Sequence, residues 1–285
     1  MKFGKNLQRL IEEALPEWRD KFIAYKRLKK LLKVIAPKAQ DEGISQVPRK
    51  RQRIETQGES HSSTSRSSDG LDLTFLKYKL TAEEVDFIQL LYPELEKFNH
   101  FFMEKEEEYI IHQKELQDRI ERVKDTYGLS PAKFRQEMMS VRKDFVNFHG
   151  EMVLLENYSV LNYTGLVKIL KKYDKRRGGI LRLAFIEKVL EQPFFAMEVL
   201  FKLVKECEET LEQLFAREEE GRMLGEEEEA TVYVYERGHE EEMHRSTMAA
   251  LRSMREMRKG SSTFTALSLP PLQKHNNYPS PPIPT

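Results

Sequence analysis

The segment NYTGLVKILKKYDKR, residues 162 to 176, concentrates lysines on one side of a predicted helix. Successive residues on a helix are about 100° apart, and these lysines fall within an arc of about 100°. They are Lys168, Lys171, Lys172 and Lys175, here called the lysine face. Ammonium groups carry positive charge and only donate hydrogen bonds, which suits phosphate oxygens. A solvated surface has the same pattern, because every amphipathic helix has a polar side.

The signs of the charges on the lysine face favour an anion site over a solvated surface. Solvated faces usually mix signs, since like charges four residues apart repel by a few tenths of a kcal/mol. The acid in this stretch, Asp174, falls on another side of the helix. A bound anion would remove the repulsion, although the spacing alone leaves both interpretations open.

A second group of hydrogen-bond donors is predicted near the N-terminus. The stretch PEWRDKFIAYKRLKKLLKVIA, residues 16 to 36, is interpreted as one continuous helix that forms a hairpin with the segment before it. With Trp18 at 0°, a helical projection places Phe22 near about +40°, Tyr25 near about −20° and Lys29 near about +20°. Lys29 therefore emerges from an aromatic patch beside the Tyr25 hydroxyl. There it either extends to water or forms part of a ligand site.

The rest of the ordered chain is predicted to be helical, with no alternating strand pattern. Thr81 and Glu84 form a capping box that begins a long helix up to Tyr127. Ser130 and Pro131 begin a second long helix. Its apolar seam alternates steps of four and three residues, which favours side-by-side packing at a shallow angle. The seam is Val141, Phe145, Phe148, Met152 and Leu155.

These patterns predict an all-α fold, in which the N-terminal hairpin packs on a bundle with two long antiparallel helices and short C-terminal helices. The short helices are predicted at residues 182–191 and 194–215. Whether the second long helix continues straight through Asn162 and Gly165 or bends there is left open.

Two parts of the chain have the composition of linkers and tails. Residues 37–79 are predicted to be a mobile, Ser/Gly-rich linker. Its run PRKRQR, residues 48–53, resembles a nuclear-import signal or is merely solvated. Residues 216–285 contain an acidic linker, a predicted amphipathic helix at 239–258 and a Pro-rich end without regular structure. The methionine side of that helix packs either on the bundle or on a partner.

Composition excludes several kinds of function. The chain has 285 residues with 47 basic and 47 acidic side chains, so it lacks the basic excess of a general nucleic-acid-coating protein. Cys207, the only cysteine, offers neither a disulfide nor a metal cluster. No apolar stretch is long enough to span a membrane, and the charged start is not a secretory signal.

The sequence contains no pattern typical of an enzyme. It has no phosphate-binding Gly-rich loop, no metal cluster and no nucleophile with a base at a supporting spacing. His112 and His149 are interpreted as surface or packing residues. We therefore expect no catalytic activity, cofactor or metal.

Four separated motifs together resemble the SPX domain: MKFGKNL, LPEWRDKFIAYKRLKK, FFMEKEEEY and LNYTGLVKILKKYDK. The resemblance covers about residues 1–215, and it is most similar to plant stand-alone SPX proteins. It implies a ligand, namely inositol hexakisphosphate or an inositol pyrophosphate that reports cellular phosphate status. It also implies a partner, a MYB coiled-coil transcription factor of phosphate starvation that is bound and inhibited in the nucleus, with the cytoplasm as a further location.

The resemblance also assigns residues to the ligand. A phosphate-binding cluster is implied at Tyr25, Lys29 and Lys172. A surrounding lysine surface is implied at Lys168, Lys171 and Lys175. Lys2 lies near the same site in the family, and Lys33 is added because it is one helical turn beyond Lys29.

Other functions remain as alternatives at this point. The lysine face could bind nucleic acid weakly, although base recognition favours Arg, Asn and Gln over lysine alone. The protein could be a structural helical scaffold with inert lysines. Long helices joined by exposed loops also allow exchange between chains, so a homodimer is one alternative assembly.

Overall fold

The computed structural model describes most of the chain, in five ranges: residues 3–37, 80–126, 131–178, 181–223 and 237–259. Every regular element in these ranges is a helix. The all-α fold class is therefore confirmed. The predicted linker beyond residue 37, its basic run and the Pro-rich end lie outside the described residues.

Eight α-helices and one 3-10 helix make up the described part of the chain. They are α1 Phe3–Glu12, the 3-10 helix Pro16–Lys21, α2 Tyr25–Val34, α3 Ala82–Thr126, α4 Pro131–Arg177, α5 Leu181–Leu190, α6 Pro193–Ala196, α7 Glu198–Met223 and α8 Arg237–Lys259. The predicted segment 194–215 is two helices, because Met197 has a positive φ of 51° that ends α6. The second of them, α7, continues into the residues predicted to begin the acidic linker.

The two long helices, α3 and α4, are antiparallel neighbours. Glu84 at the start of α3 pairs with Arg177 at the end of α4. Arg119, near the end of α3, pairs with Asp144 in the first half of α4. The predicted apolar seam of α4 is buried between them and the surrounding helices.

Helix α4 is unbroken through Asn162 and Gly165. These two residues receive the incoming N-terminal chain instead of bending the helix. The Oδ1 atom of Asn162 accepts a hydrogen bond from the Ile23 N–H at 2.9 Å. A Cβ atom on Gly165 would lie 2.9 Å from Cγ2 of Ile23, so a glycine is needed for this close approach.

The prediction of one continuous helix over residues 16–36 is wrong. The 3-10 helix ends at Lys21, and α2 starts at Tyr25. Between them Phe22 is extended, with φ −68° and ψ 161°. The helical projection that placed Trp18 and Lys29 on one face therefore does not apply.

Side chains of α3 and α4 explain this break. They bind the backbone groups that a continuous helix would have paired internally. The Tyr158 hydroxyl donates to the Lys21 carbonyl at 3.1 Å, and Lys97 donates to the Phe22 carbonyl at 2.9 Å. Glu94 accepts from the Ala24 N–H at 2.7 Å. A local sequence pattern does not reveal such distant partners.

The break also separates the aromatic residues that were predicted to form one patch. Trp18 and Phe22 pack edge-on against Tyr158 of α4. Tyr25 instead packs edge-on against Phe3 of α1, with ring centroids 5.1 Å apart. Tyr25 and Lys29 thus belong to a different surface from Trp18.

The C-terminal helix α8 packs along α4 of its own chain. Met243 and Met254 are buried in this contact, whereas Met248 is exposed. A Cβ atom on Gly150 of α4 would lie 2.9 Å from Oγ1 of Thr247, so the two helices approach closely there. The methionine side of α8 therefore packs on the bundle of its own chain, which was one of the two alternatives left open by the sequence.

Candidate functional site

Helices α2 and α4 lie side by side and run in the same direction. At the start of α2, Ile23 contacts Asn162. At its end, the Lys33 carbonyl accepts a hydrogen bond from Arg176 of α4 at 3.0 Å. A residue of α2 and a residue of α4 that are about equally many positions beyond Ile23 and Asn162 therefore lie at similar heights along the two helices.

Phe3 of α1 contacts two predicted site residues, Tyr25 of α2 and Lys168 of α4. Its ring packs on Tyr25, and the Lys168 Nζ lies 6.0 Å from its centroid, within cation–π range. Side chains four residues apart share a helix face, so Lys29 and Lys172 come next on the two helices. Tyr25 and Lys29 of α2 thus lie along the same edge of the bundle as the lysine face. Lys2 lies outside the described residues.

The Tyr25 hydroxyl is buried and accepts or donates no hydrogen bond within the described part of the chain. Burial raises the pKa of Tyr25, so the group stays protonated at neutral pH and keeps its proton for donation. A buried polar group without a partner costs about 1–3 kcal/mol. An acceptor such as a phosphate oxygen would remove this cost.

Six of the predicted lysines lie in the described part of the chain, and all six are exposed. They are Lys29, Lys33, Lys168, Lys171, Lys172 and Lys175. None of them forms a salt bridge with any acid in the ranges that the structure describes. Asp174 is turned away, as predicted, toward Arg182 at 3.8 Å. The edge between α2 and α4 is therefore a surface of donors and positive charge.

Sequence reasoning missed a set of residues at one end of this edge. The capping box at Thr81 and Glu84 is confirmed, with a 2.9 Å bond from the Thr81 N–H to Glu84. Glu84 also accepts hydrogen bonds from Tyr173 at 2.7 Å and from Arg177 at 2.6 Å. Only the capping pattern was visible in the sequence, because its partners on α4 are distant in the chain.

A separate cavity of about 390 Å³ lies between α1, the 3-10 helix and α8. Both arginines and glutamates line it, including Arg19, Arg252, Glu13 and Glu256. This mixture differs from the donor surface between α2 and α4. The candidate site for an anion is therefore the α2–α4 edge, which is an open surface.

The described residues offer little for metal, membrane or thiol chemistry. They contain no group of three or more His, Cys, Asp or Glu side chains that could hold a metal, and no helix long and apolar enough to cross a membrane. Cys207 is buried, and burial raises its pKa to about 12. His112 packs its ring on Phe148, and His149 lies 3.3 Å from Glu208. The absence of catalytic activity stays a prediction.

Comparison with known proteins identifies the family. A family model of the SPX domain matches residues 1–69 and 124–189. The chain is 50% identical over 275 residues to SPX domain-containing protein 1 of Arabidopsis thaliana, covering 96% of this chain and 93% of the relative. The chain belongs to the SPX domain family. SPX domain-containing protein 1 of Oryza sativa subsp. indica is 48% identical over 293 residues, covering 96% and 92% of the two chains.

A solved SPX domain was also found by structural comparison. It is the SPX domain of Chaetomium thermophilum glycerophosphodiester phosphodiesterase 1, in complex with inositol hexakisphosphate. It is 22% identical, with a TM-score of 0.47, covering 75% of this chain and 99% of that one.

In this SPX protein the two matched segments contain all of the predicted site residues, from Lys2 to Lys175. Glu84 lies between the matched segments, and α8 lies after them. The predicted binding edge therefore belongs to the part of the chain that the family model matches.

Proposed function

We propose that this SPX protein is a sensor of inositol polyphosphates, with inositol hexakisphosphate or an inositol pyrophosphate as ligand. The observation that carries the proposal is the buried hydroxyl of Tyr25, which has no partner among the described residues and lies beside exposed lysines of two parallel helices. Phosphate oxygens accept hydrogen bonds and carry negative charge, so they complement these donors. Membership of the SPX family supports the same ligand class.

The ligand bridges α2 and α4. A single phosphate reaches only part of the edge, whereas several phosphates on one ring engage Tyr25, Lys29 and the lysine face together. Linked contacts of this kind strengthen binding well beyond that of each group alone. The ligand thereby also fixes α2 relative to α4.

The ligand-bound state, in which α2 is fixed relative to α4, is the form that binds the protein partner. In our proposal it binds and inhibits a MYB coiled-coil transcription factor of the phosphate-starvation response, in the nucleus and also in the cytoplasm. A ligand controls such binding only if the partner prefers the ligand-ordered state. Similarity over nearly the whole length to plant SPX proteins, and the basic run at residues 48–53, support this proposal. The homodimer stays a prediction, which light scattering would test.

Calorimetry with inositol hexakisphosphate tests the ligand. We expect tight, salt-sensitive binding that Lys29→Ala or Lys172→Ala weakens at least tenfold, because each removes a charged donor worth about 1.5–3 kcal/mol. Lys114→Ala is the matched control, since Lys114 is exposed on α3 away from this edge. Unchanged binding in both site variants would contradict the site.

Pull-down of MYB coiled-coil factors, with and without inositol pyrophosphate, tests the switch. Association that ignores the ligand would contradict the proposal. The scaffold alternative predicts no ligand-induced rise in melting temperature, whereas a ligand that binds the folded state must raise it. Gel-shift with DNA or RNA tests the nucleic-acid alternative, for which we expect only weak, nonspecific binding.

A further inference from the structure

The C-terminal end of α2 is held by two arginines of α4. The last carbonyl groups of any helix lack partners within the helix. Here Arg176 donates to the carbonyls of Lys33 and Ile35, and Arg177 donates to that of Ala36 at 3.3 Å. These bonds take the place of the glycine cap that commonly ends a helix.

Arg177 is itself held by a buried carboxylate of α3. Glu84 is 2% exposed, and it binds two nitrogens of Arg177, at 2.6 and 3.2 Å. Tyr173 and the Thr81 N–H donate to the same carboxylate. Burial by itself would raise the pKa of Glu84, but the hydrogen bonds from Thr81, Tyr173 and Arg177 lower it overall. Glu84 is therefore ionised at neutral pH, and α2, α3 and α4 are tied together at one point.

We propose that Glu84, Arg176 and Arg177 are positioning residues for the anion site, here called the clamp. The clamp sets the height of α2 along α4, and so it places Tyr25 and Lys29 opposite the lysine face. This inference rests on the proposed function. A shift of one residue along a helix is about 1.5 Å, which takes an ammonium group out of hydrogen-bonding distance of a fixed oxygen.

The contacts of the clamp distinguish it from the lysines that would touch the ligand. The guanidinium groups of Arg176 and Arg177 already donate to the α2 carbonyls and to Glu84. The lysines of the edge form no ion pair with any acid in the described ranges. Basic residues that are adjacent in sequence, Lys175 and Arg176, therefore have different roles.

The substitution Glu84→Gln separates positioning from simple electrostatics. Glutamine keeps the capping box, because it also serves at the third position of the helix. The change removes one negative charge near the edge, so electrostatics alone predicts tighter binding of an anion. Loss of positioning instead predicts weaker binding of the anion. Losing the hydrogen-bond partner that orients a metal ligand typically weakens metal binding about 10- to 100-fold. Because Glu84 supports the anion site in a similar way, we expect binding of inositol hexakisphosphate to weaken about tenfold.

Glu83→Gln is the matched control, since it makes the same charge change one residue away at an exposed position. In the described structure Glu83 acts on Arg177 through its charge and not through a hydrogen bond. The variant should bind the ligand as tightly as the wild type, or slightly more tightly. The salt dependence of binding adds a second readout for Glu84→Gln. Its slope should stay that of the wild type, because no charge that contacts the ligand is lost, whereas Lys29→Ala should lower it.

Each outcome of calorimetry on the full chain decides one proposal. If the wild type does not bind inositol hexakisphosphate, the proposed function fails. If the wild type binds, Lys29→Ala weakens it, and folded Glu84→Gln binds equally well or better, the clamp proposal is overturned. Should Glu84→Gln fail to fold, Arg176→Lys decides instead, because lysine keeps the positive charge but lacks the planar guanidinium that reaches both the Lys33 and Ile35 carbonyls. Binding as tight as that of the wild type would then overturn the clamp proposal.

Discussion

At the scale of single residues, neighbouring side chains of the same type have different surroundings. Tyr173 donates its hydroxyl to Glu84, whereas the Tyr25 hydroxyl is buried without a partner in the described structure. Arg176 caps α2, whereas the adjacent Lys175 is exposed. Surroundings therefore decide which groups are available to a ligand, because a donor that is already satisfied gains little from a new acceptor.

The substitution Tyr25→Phe should affect stability and binding in opposite directions. Without ligand, it removes a buried hydroxyl that has no partner in the described ranges, so the free energy of unfolding should stay the same or rise by about 1 kcal/mol. With inositol hexakisphosphate, the lost donor should weaken binding about tenfold, for the same energetic reason. Thermal unfolding without ligand and calorimetry with ligand measure the two effects. Unchanged affinity would remove Tyr25 from the site.

At the scale of elements, the position of α2 depends on long helices that are distant in sequence. Its start is fixed by Asn162 and Glu94, and its end by Arg176 and Arg177. Both ends are therefore bound to side chains of α3 or α4. A short helix is marginal alone in water, so these contacts determine where it forms.

The start of α2 can be tested with Asn162→Ala. Asn162 is fully buried, accepts from the Ile23 N–H and donates to the Tyr158 carbonyl at 3.0 Å. Alanine leaves the Ile23 N–H buried and unpaired, which should lower the free energy of unfolding by about 2 kcal/mol. Urea denaturation measures the change. Asn6→Ala, at a partly exposed position of α1, should have little effect by comparison.

The end of α2 gives a prediction about pH. The folded state lowers the pKa of Glu84, so the ionised carboxylate stabilises the fold above its ordinary pKa of 4.5. This stabilisation is lost as the pH falls through the folded-state pKa. The wild type should therefore exceed Glu84→Gln in free energy of unfolding at neutral pH, and the difference should narrow below about 4.5. Urea denaturation at several pH values measures it, and a constant difference would contradict the ionised clamp.

At the scale of the whole molecule, helix α8 covers the side of the bundle formed by α1 and α4. Polar atoms of α4 and α8 are buried there without partners in the described residues, namely Asn157 Oδ1, Thr247 Oγ1 and Ser253 Oγ. Each such atom costs about 1–3 kcal/mol, which reduces the net stability of the contact. We therefore expect α8 to open at lower free energy than α3 and α4.

The substitution Ala250→Asp tests the docking of α8. Ala250 is 2% exposed, so a carboxylate there would be desolvated and unpaired, and α8 should detach. Hydrogen exchange should then show lost protection in α8, while the amides of α3 and α4 remain protected. Met248→Asp, at an exposed position of the same helix, is the control. Lost protection throughout the bundle would instead make α8 part of one cooperative unit.

Local periodicity predicted the features that depend on neighbours in sequence. The long helices, the capping box at Thr81 and Glu84, and the buried seam of α4 follow from the spacing of apolar and capping residues. The shared face of Lys168 and Lys172 follows from helix geometry alone. Such features hold because helical contacts occur between residues three and four positions apart.

Only the tertiary structure decided the features that depend on contacts between distant segments. It ended the 3-10 helix at Lys21 and began α2 at Tyr25, because buried groups such as Asn162 bind the backbone there. It placed Tyr25 against Phe3 instead of Trp18, and it separated the capping role of Arg176 from the exposed Lys175. The sequence by itself determined the long helices and their faces, since these arise locally. Which faces meet, and which donors stay unpaired, required packing across the chain.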